Sequence, residues 1–231
     1  MGEVICELKK VSKKFKKSDC CPIKKLDMKI NAGDYISIEG VSGIGKSTLL
    51  YLIGGLISPT EGDIFYFGKN VKSEKDFLSI RKKSISYIFQ DYRYIEFFTI
   101  EENLMFAARN RKLCKEKIKE EMEYYLEILH LQDKRRVYPY NLSGGQKRRL
   151  MIAIAMIRDT QILIADEPTN DLDLFMEEKV LNLFDDKVKE GKTIILSTHN
   201  PRVSQRVNLR YQIEASRLSI LGGGDIHLGI K

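Results

Sequence analysis

The chain has 231 residues, of which 43% are hydrophobic and 31% are charged, so its composition excludes intrinsic disorder and fits one large domain or two small ones. Its 39 Lys and Arg against 32 Asp and Glu give a net charge of +7, which favours an acidic partner such as a nucleotide, a nucleic acid or an anionic membrane surface. No apolar run approaches the ~20 residues that a membrane-spanning helix needs, and the first ten residues lack the apolar core of a signal peptide. The four cysteines have no CxxC spacing, so we expect reduced thiols in a cytosolic protein.

Short β-type runs alternate with helical stretches, a pattern that predicts an α/β fold with a largely parallel sheet. In chain order the patterns predict strands over 35–39, 63–68, 85–89, 161–165 and 193–197, a turn over 58–62, and helices from Thr48, over 101–131 (two helices) and over 146–157. The last two strands are continuous apolar runs, which suits burial on both faces of a sheet. Gly222, Gly223 and Gly224 indicate a flexible or tightly turning tail.

The segment from Gly40 to Ser47 has the form G-x-x-x-x-G-K-S and lies between a predicted strand and a predicted helix. Glycines let backbone N–H groups close around phosphate, and the start of a helix adds positive potential there. In such a loop Lys46 reaches the β- and γ-phosphates, and the Ser47 hydroxyl binds Mg²⁺. A glycine-rich turn with an incidental lysine is the alternative, but the strand–loop–helix context favours a phosphate-binding loop.

A second apolar strand leads directly into two acidic residues, Asp166 and Glu167. Asp166 fits the aspartate that positions Mg²⁺ in P-loop NTPases. Glu167 follows at the edge of the sheet where ligands collect in open α/β folds, and a carboxylate there can accept a proton from an attacking water or orient it. Two acids after a strand are, taken alone, usually a solvated turn or a helix cap. Beside a phosphate-binding loop they predict a metal-binding and catalytic site.

The run Leu142-Ser143-Gly144-Gly145-Gln146 begins a predicted helix 20 residues before Asp166. Ser143 as a helix N-cap would be a sufficient explanation in isolation. An exposed Ser-Gly-Gly at a helix start is also a second anion-binding site. Two phosphate sites in one chain, one of them without a lysine, suggest nucleotides that are shared between two copies.

With these motifs in this order, the sequence resembles the ATP-binding subunits of ABC transporters over nearly its whole length. The resemblance implies a P-loop NTPase (RecA-like) core with an antiparallel β subdomain and an inserted helical subdomain. It implies a single domain over 1–231, with the core and β lobe at 1–89 and 159–231 and the helical lobe at about 90–158. The runs 52–56, 58–62 and 87–90 resemble the lipoprotein-release and macrolide-export branch, which also contains a cell-division ATPase.

The same resemblance implies roles for single residues, with ATP and Mg²⁺ as the ligands. Glu167, His199 and Gln90 would be catalytic, and Ser47, Gln90 and Asp166 would hold the metal. Nucleotide contacts would come from Phe15, Gly40, Ser42, Gly43, Gly45, Lys46, Ser47, Thr48, Ser143, Gly144, Gly145, Gln146 and Asp173. Simpler explanations exist for single positions: Gln90 as a polar strand end, His199 as a core or capping histidine, and Phe15 as an anchor of the N-terminal strand.

The resemblance further implies an ATP-dependent homodimer and a separate transmembrane subunit that docks near Gln90 to Thr99. We expect Tyr92 to Phe97 to be partly exposed there, while Phe98, Ile100 and Leu104 pack within the helical lobe. No nucleic acid is expected, and the protein would be cytoplasmic and peripheral on the inner face of the membrane, in an exporter or an extracytoplasmic-acting system. Two alternatives stay open: a regulatory ATPase that signals through a membrane partner, and a soluble ABC protein acting on the ribosome or DNA.

Overall fold

The computed structural model describes residues 2–15, 21–214 and 216–222, so Gly223 and Gly224 lie outside the described residues. Within these ranges the strands form two sheets, one of four strands and one of six. None of the described helices combines the length and the apolarity needed to cross a bilayer.

The smaller sheet is antiparallel, with strand order β2-β1-β4-β5. It comprises β1 (Val4–Lys13), β2 (Ile23–Asn31), β4 (Glu61–Tyr66) and β5 (Lys69–Val71). The strand predicted over 63–68 begins at Glu61 and ends at Tyr66. It ends there because Phe67 and Gly68 both have positive φ, 49° and 74°, and form the two-residue hairpin loop that leads into β5.

The larger sheet has strand order β10-β9-β3-β8-β7-β6 and is parallel except for the β9–β10 pair. It comprises β3 (Tyr35–Glu39), β6 (Ile85–Ile88), β7 (Ile162–Asp166), β8 (Thr193–Ser197), β9 (Leu209–Glu214) and β10 (Arg217–Gly222). Every residue of β7 and β8 is buried, which confirms the prediction from their continuous apolar runs. Asp166 is the last residue of β7 and pairs with Ser197, the last residue of β8.

The core consists of two apolar clusters on opposite faces of the larger sheet. Side chains alternate between the clusters along a strand: Ile162 and Ile164 of β7 join one, while Leu163 and Ala165 join the other. This alternation follows from the two-residue period of a strand. The first cluster continues into the antiparallel sheet, and the second continues into the helices between β6 and β7.

Seven α-helices are present in the described residues: α1 (Lys46–Ile53), α2 (Glu74–Ser84), α3 (Ile100–Ala108), α4 (Lys115–Ile128), α5 (Gly144–Ile157), α6 (Leu174–Lys189) and α7 (Pro201–Ser204). The two helices predicted between 101 and 131 are α3 and α4, and α3 to α5 form the insertion between β6 and β7. Reciprocal capping boxes explain where α3 and α5 begin, since Thr99 pairs with Glu102 and Ser143 with Gln146. The α5 helix thus starts two residues before the predicted position, and α1 also starts two residues early.

Candidate nucleotide-binding site

The loop between β3 and α1 has the backbone shape that the glycine spacing predicts. Gly40, Gly43 and Gly45 all have positive φ, at 146°, 76° and 120°. At Gly40 a side chain is also excluded by space, because a Cβ would lie 2.9 Å from the carbonyl oxygen of Ile213. The α1 helix follows Gly45 without a side-chain cap, so no side chain accepts a hydrogen bond from its first N–H groups. Those N–H groups at the start of the helix can therefore bind an anion.

Lys46 lies folded against this loop, with only 7% of the residue exposed. Its Nζ donates hydrogen bonds to the carbonyl oxygens of Gly40 at 2.8 Å and Val41 at 3.2 Å. The same nitrogen lies 3.1 Å from His199 Nε2. The lysine therefore connects the end of β3 with the loop that follows β8.

Asp166 ends β7 beside that lysine-bearing loop and is 3% exposed. Its Oδ1 accepts a hydrogen bond from the Ser197 hydroxyl. Its Oδ2 is buried and has no hydrogen-bond partner in the part of the chain that the structure describes. A buried carboxylate oxygen without a partner is costly, and hard divalent cations prefer such an oxygen as a ligand. The residue therefore fits the metal-positioning role predicted for it.

Glu167 follows Asp166 with a left-handed backbone, φ 48°, which is uncommon outside glycine. Its N–H lies 3.1 Å from the Ser197 hydroxyl oxygen and 3.3 Å from the Ser197 carbonyl oxygen, which holds this turn in place. Its Oε1 lies 3.2 Å from His199 Nε2, and the glutamate side chain is 9% exposed against 54% for the histidine. Lys46, His199 and Glu167 thus form a continuous polar chain at the carboxyl edge of the sheet.

Gln90 and Phe15 are placed less closely around this chain. Gln90 follows β6, is exposed, and forms no side-chain hydrogen bond among the described residues. Its main chain is held instead, since its carbonyl oxygen accepts a hydrogen bond from Arg148. Phe15 is exposed two residues beyond the end of β1, with the Lys13 amine 5.5 Å from its ring centroid.

The second predicted anion site lies at the start of α5. The Ser143 hydroxyl accepts from the Gln146 N–H at 3.3 Å, and the Ser143 N–H donates to Gln146 Oε1 at 2.9 Å, so Ser143 is the N-cap that the simpler alternative describes. Ser143 and Gly144 are exposed, and no hydrogen bond within the described ranges joins residues 143–146 to the loop 40–48. Asp173 caps α6, where its Oδ1 accepts from the Met176 N–H at 2.8 Å. This surface therefore remains available to a second molecule.

A comparison with protein families identifies the class of protein. The family model described as ABC transporter matches residues 23–170, which is more than half of the chain. The chain belongs to this family. Its predicted ATPase activity and its predicted fold agree with that membership.

Individual relatives of this ABC chain carry names from different transport systems. It is 38% identical over 186 residues to the lipoprotein-releasing system ATP-binding protein LolD of Aquifex aeolicus, covering 79% of this chain and 83% of that protein. It is 34% identical over 233 residues to the methionine import ATP-binding protein MetN of Lactobacillus delbrueckii subsp. bulgaricus, covering 96% of this chain and 64% of that protein.

A solved structure similar to this ABC chain confirms the predicted fold. It is the dimeric structure of a post-hydrolysis state of the ATP-binding cassette MJ0796 bound to ADP and Pi. The TM-score is 0.87 at 28% sequence identity, and the match covers 95% of this chain and all of the other. The α/β core, the antiparallel sheet and the inserted helices are therefore those of an ABC ATPase.

Sequence reasoning missed three residues that shape the site. Ser197 holds both Asp166 and the backbone of Glu167, yet in the sequence it is only a polar strand end. Arg148 holds the main chain of Phe89 and Gln90, but it is one of three consecutive basic residues and nothing marks it as the buried one. Tyr92 was expected only as a partly exposed aromatic, and its hydroxyl makes specific contacts described below.

Proposed function

We propose that this protein binds and hydrolyses ATP as a subunit of an ABC transporter, dimerises around two ATP–Mg²⁺ and drives a separate membrane subunit. The single observation that carries the proposal is the polar chain Lys46–His199–Glu167 at the carboxyl edge of the parallel sheet. It brings an ammonium, an imidazole and a carboxylate to one point beside a phosphate-binding loop. Ligands of open α/β sheets bind at this edge.

The binding of the triphosphate follows from the donors at this edge. The N–H groups of the loop 40–48 would bind the β- and γ-phosphates, and Lys46 would exchange its two carbonyl partners for phosphate oxygens. Asp166, Ser47 and Gln90 would hold Mg²⁺, and the unpaired Oδ2 of Asp166 supports this assignment. The metal would neutralise charge on the phosphate oxygens. Phe15 would stack on the adenine.

For hydrolysis we propose that Glu167 orients the attacking water and accepts its proton. Its carboxylate is buried, faces His199 and sits on a strained turn that fixes its direction. His199 would contact the γ-phosphate, and Gln90 would sense the water and the metal. Holding the water in line with the phosphate supplies most of the catalytic effect in phosphoryl transfer.

We propose that the site is completed by a second copy of the chain. Ser143, Gly144, Gly145 and Gln146 of one copy would cap the ATP on the loop of the other, and Asp173 would lie in the interface. The exposure of Ser143 and Gly144 supports this, as does the dimer seen for the similar cassette. Contacts made only in the closed dimer would make dimerisation depend on ATP.

The membrane subunit would dock on the segment 90–99. Phe97 is 85% exposed there, and Tyr92, Tyr94 and Ile95 are partly exposed, while Ile100 and Leu104 are fully buried. We propose an exporter or extracytoplasmic-acting system of the lipoprotein-release type, which the similarity to LolD supports. The protein would then be peripheral on the cytoplasmic face of the membrane and would bind no nucleic acid.

The solution mass of Glu167→Gln with and without ATP and Mg²⁺ tests this function. A loss of water activation with intact binding should trap a dimer, so the mass should rise from 26.7 kDa to twice that value only with ATP. Glu3→Gln, at an exposed position, is the matched control and should not accumulate the dimer. A Glu167→Gln protein that fails to bind ATP would overturn the proposal.

A further inference from the structure

A buried guanidinium lies in the first turns of α5, away from the polar chain described above. Arg148 is 2% exposed. Its Nη1 donates to the Phe89 carbonyl oxygen at 2.7 Å and its Nη2 donates to the Gln90 carbonyl oxygen at 2.8 Å. A planar guanidinium that binds two successive carbonyls fixes the backbone in both position and direction. The start of the segment 90–99 is therefore attached to α5.

The same arginine faces a tyrosine and an aspartate. Arg148 Nη2 lies 3.7 Å from Asp171 Oδ2, and its guanidinium carbon lies 5.4 Å from the ring centroid of Tyr92. The Tyr92 hydroxyl lies 3.0 Å from Asp171 Oδ2 and 3.2 Å from the carbonyl oxygen of Gly144. Partial burial and the hydrogen bond to Asp171 raise the pKa of Tyr92.

The backbones in this cluster are also in close contact. Asp171 has a left-handed backbone, φ 66°, that directs its carbonyl oxygen at α5. A Cβ on Gly145 would lie only 2.8 Å from that oxygen, so only glycine allows this approach. The loop 169–173 and the helix start 143–146 therefore approach each other through main chain, and the Tyr92 hydroxyl bridges them.

We propose that Arg148, Tyr92 and Asp171 form a latch that holds the segment 90–99, the helix start 143–146 and the loop 169–173 as one unit. The three are positioning residues, since none of them touches the polar chain Lys46–His199–Glu167. The inference rests on the proposed function, in which the helix start and the loop both face the second copy and the segment 90–99 faces the membrane subunit. A displacement of that segment then moves both parts of the dimer-facing surface together.

The latch has a measurable consequence for dimerisation. Two surface parts that are already fixed relative to each other lose less conformational freedom when they dock than two parts that move independently. Breaking the latch therefore weakens the ATP-dependent dimer without changing how one subunit binds ATP. If the three residues only stabilised the fold, their loss would change ATP affinity and dimerisation together.

The test is a double-mutant cycle of Tyr92→Phe and Asp171→Ala in the Glu167→Gln protein, measured by sedimentation with ATP and Mg²⁺; alanine removes the acceptor of the Tyr92 hydroxyl, which asparagine would keep. Tyr92→Phe keeps the ring and removes only the hydroxyl, so it preserves the fold. We expect each single variant to raise the dimer dissociation constant about fivefold, because the loosened loop must then be ordered when the dimer forms. We expect the double variant to raise it by less than the product of the two single effects, because both variants remove the Tyr92–Asp171 hydrogen bond. Monomer ATP affinity should be unchanged.

Tyr124→Phe is the matched control, because Tyr124 is exposed on α4 and its hydroxyl makes no hydrogen bond within the described residues. Additive effects of the two latch variants, or a Tyr92→Phe protein that behaves like Tyr124→Phe, would overturn the latch. Amide hydrogen exchange without nucleotide gives an independent measurement. Residues 169–173 should exchange faster in Tyr92→Phe than in Tyr124→Phe, and equal rates would again overturn it. If the Glu167→Gln parent does not bind ATP, the proposed function fails, and the exchange result alone decides whether the latch exists.

Discussion

Lys46 Nζ lies 3.1 Å from His199 Nε2, and that ring nitrogen also lies 3.2 Å from Glu167 Oε1. A single imidazole nitrogen either accepts a hydrogen bond from the ammonium or donates one to the carboxylate, and it cannot do both at once. The partner of His199 therefore depends on where Lys46 is held. We expect a bound phosphate to draw Lys46 away from His199 and to leave Nε2 free for a second contact. Nucleotide binding would then affect Glu167, the residue that we propose orients the attacking water.

Replacing Lys46 with alanine should weaken ATP binding. The amine contributes hydrogen bonds from a charged group, which are worth ~1.5–3 kcal/mol, or roughly a tenfold to hundredfold loss in affinity. Titration with a fluorescent ATP analogue measures this, and Lys75→Ala on the exposed face of α2 is the control. Wild-type affinity in the Lys46→Ala protein would contradict the phosphate-binding role of the loop.

Replacing Ser143 with arginine should prevent the ATP-induced dimer by placing a large cation at the proposed contact surface. Because Ser143 also caps α5, the variant loses the cap and ~1 kcal/mol of stability. Ser143→Ala loses the same cap without the added bulk, and it separates the two effects. Sedimentation with ATP in the Glu167→Gln background should show a monomer for Ser143→Arg and a weakened dimer for Ser143→Ala. Dimers of equal strength in both variants would argue against the shared site.

The sequence predicted the parts of this fold that local patterns determine. The loop 40–47 combines glycines that need positive φ with a lysine at a fixed spacing, and the buried strands β7 and β8 are uninterrupted apolar runs. The cap at Ser143, which is the simpler alternative for the Ser-Gly-Gly run in the sequence, is also local, since both partners of its capping box lie within one turn. The proposed roles of the site residues and the lobe boundaries at 89/90 and 158/159 stay predictions.

Other features depend on contacts between distant segments and leave no local signal. The end of β4 was misplaced because Phe67 adopts positive φ, which a bulky residue rarely does. Lys147, Arg148 and Arg149 look alike in the sequence. Arg148 is the buried one because the carbonyl oxygens of Phe89 and Gln90 lie next to it in the folded chain. The contact of Lys46 with His199 joins residues 153 positions apart and could not be inferred from spacing.

Acid should destabilise this protein partly through Glu39, which precedes the phosphate-binding loop. Hydrogen bonds from Arg210 and Ser37 hold the pKa of Glu39 below its ordinary value. Since the unfolded chain binds the proton more tightly, this contribution to stability is complete above about pH 5 and is lost as pH falls through the folded pKa. In urea unfolding from pH 7 to pH 3, the free energy of unfolding should fall less in Glu39→Gln and in Arg210→Gln than in the wild type. Parallel curves for all three proteins would contradict the assignment.

The Gly145→Ala substitution should destabilise the subunit, whereas Gly144→Ala should not. At Gly145 the Cβ would lie 2.8 Å from the Asp171 carbonyl oxygen, and at Gly144 it would lie 3.4 Å from the Tyr92 hydroxyl, an ordinary contact. Relieving the first clash requires a backbone shift that costs ~1–3 kcal/mol, while alanine at Gly144 gains helix propensity. Urea unfolding of the two variants measures the difference. Equal stability of the two variants would show that this close approach is not needed. Because the shift would push the loop 169–173 away from α5, Gly145→Ala should also weaken the ATP-dependent dimer more than Gly144→Ala does.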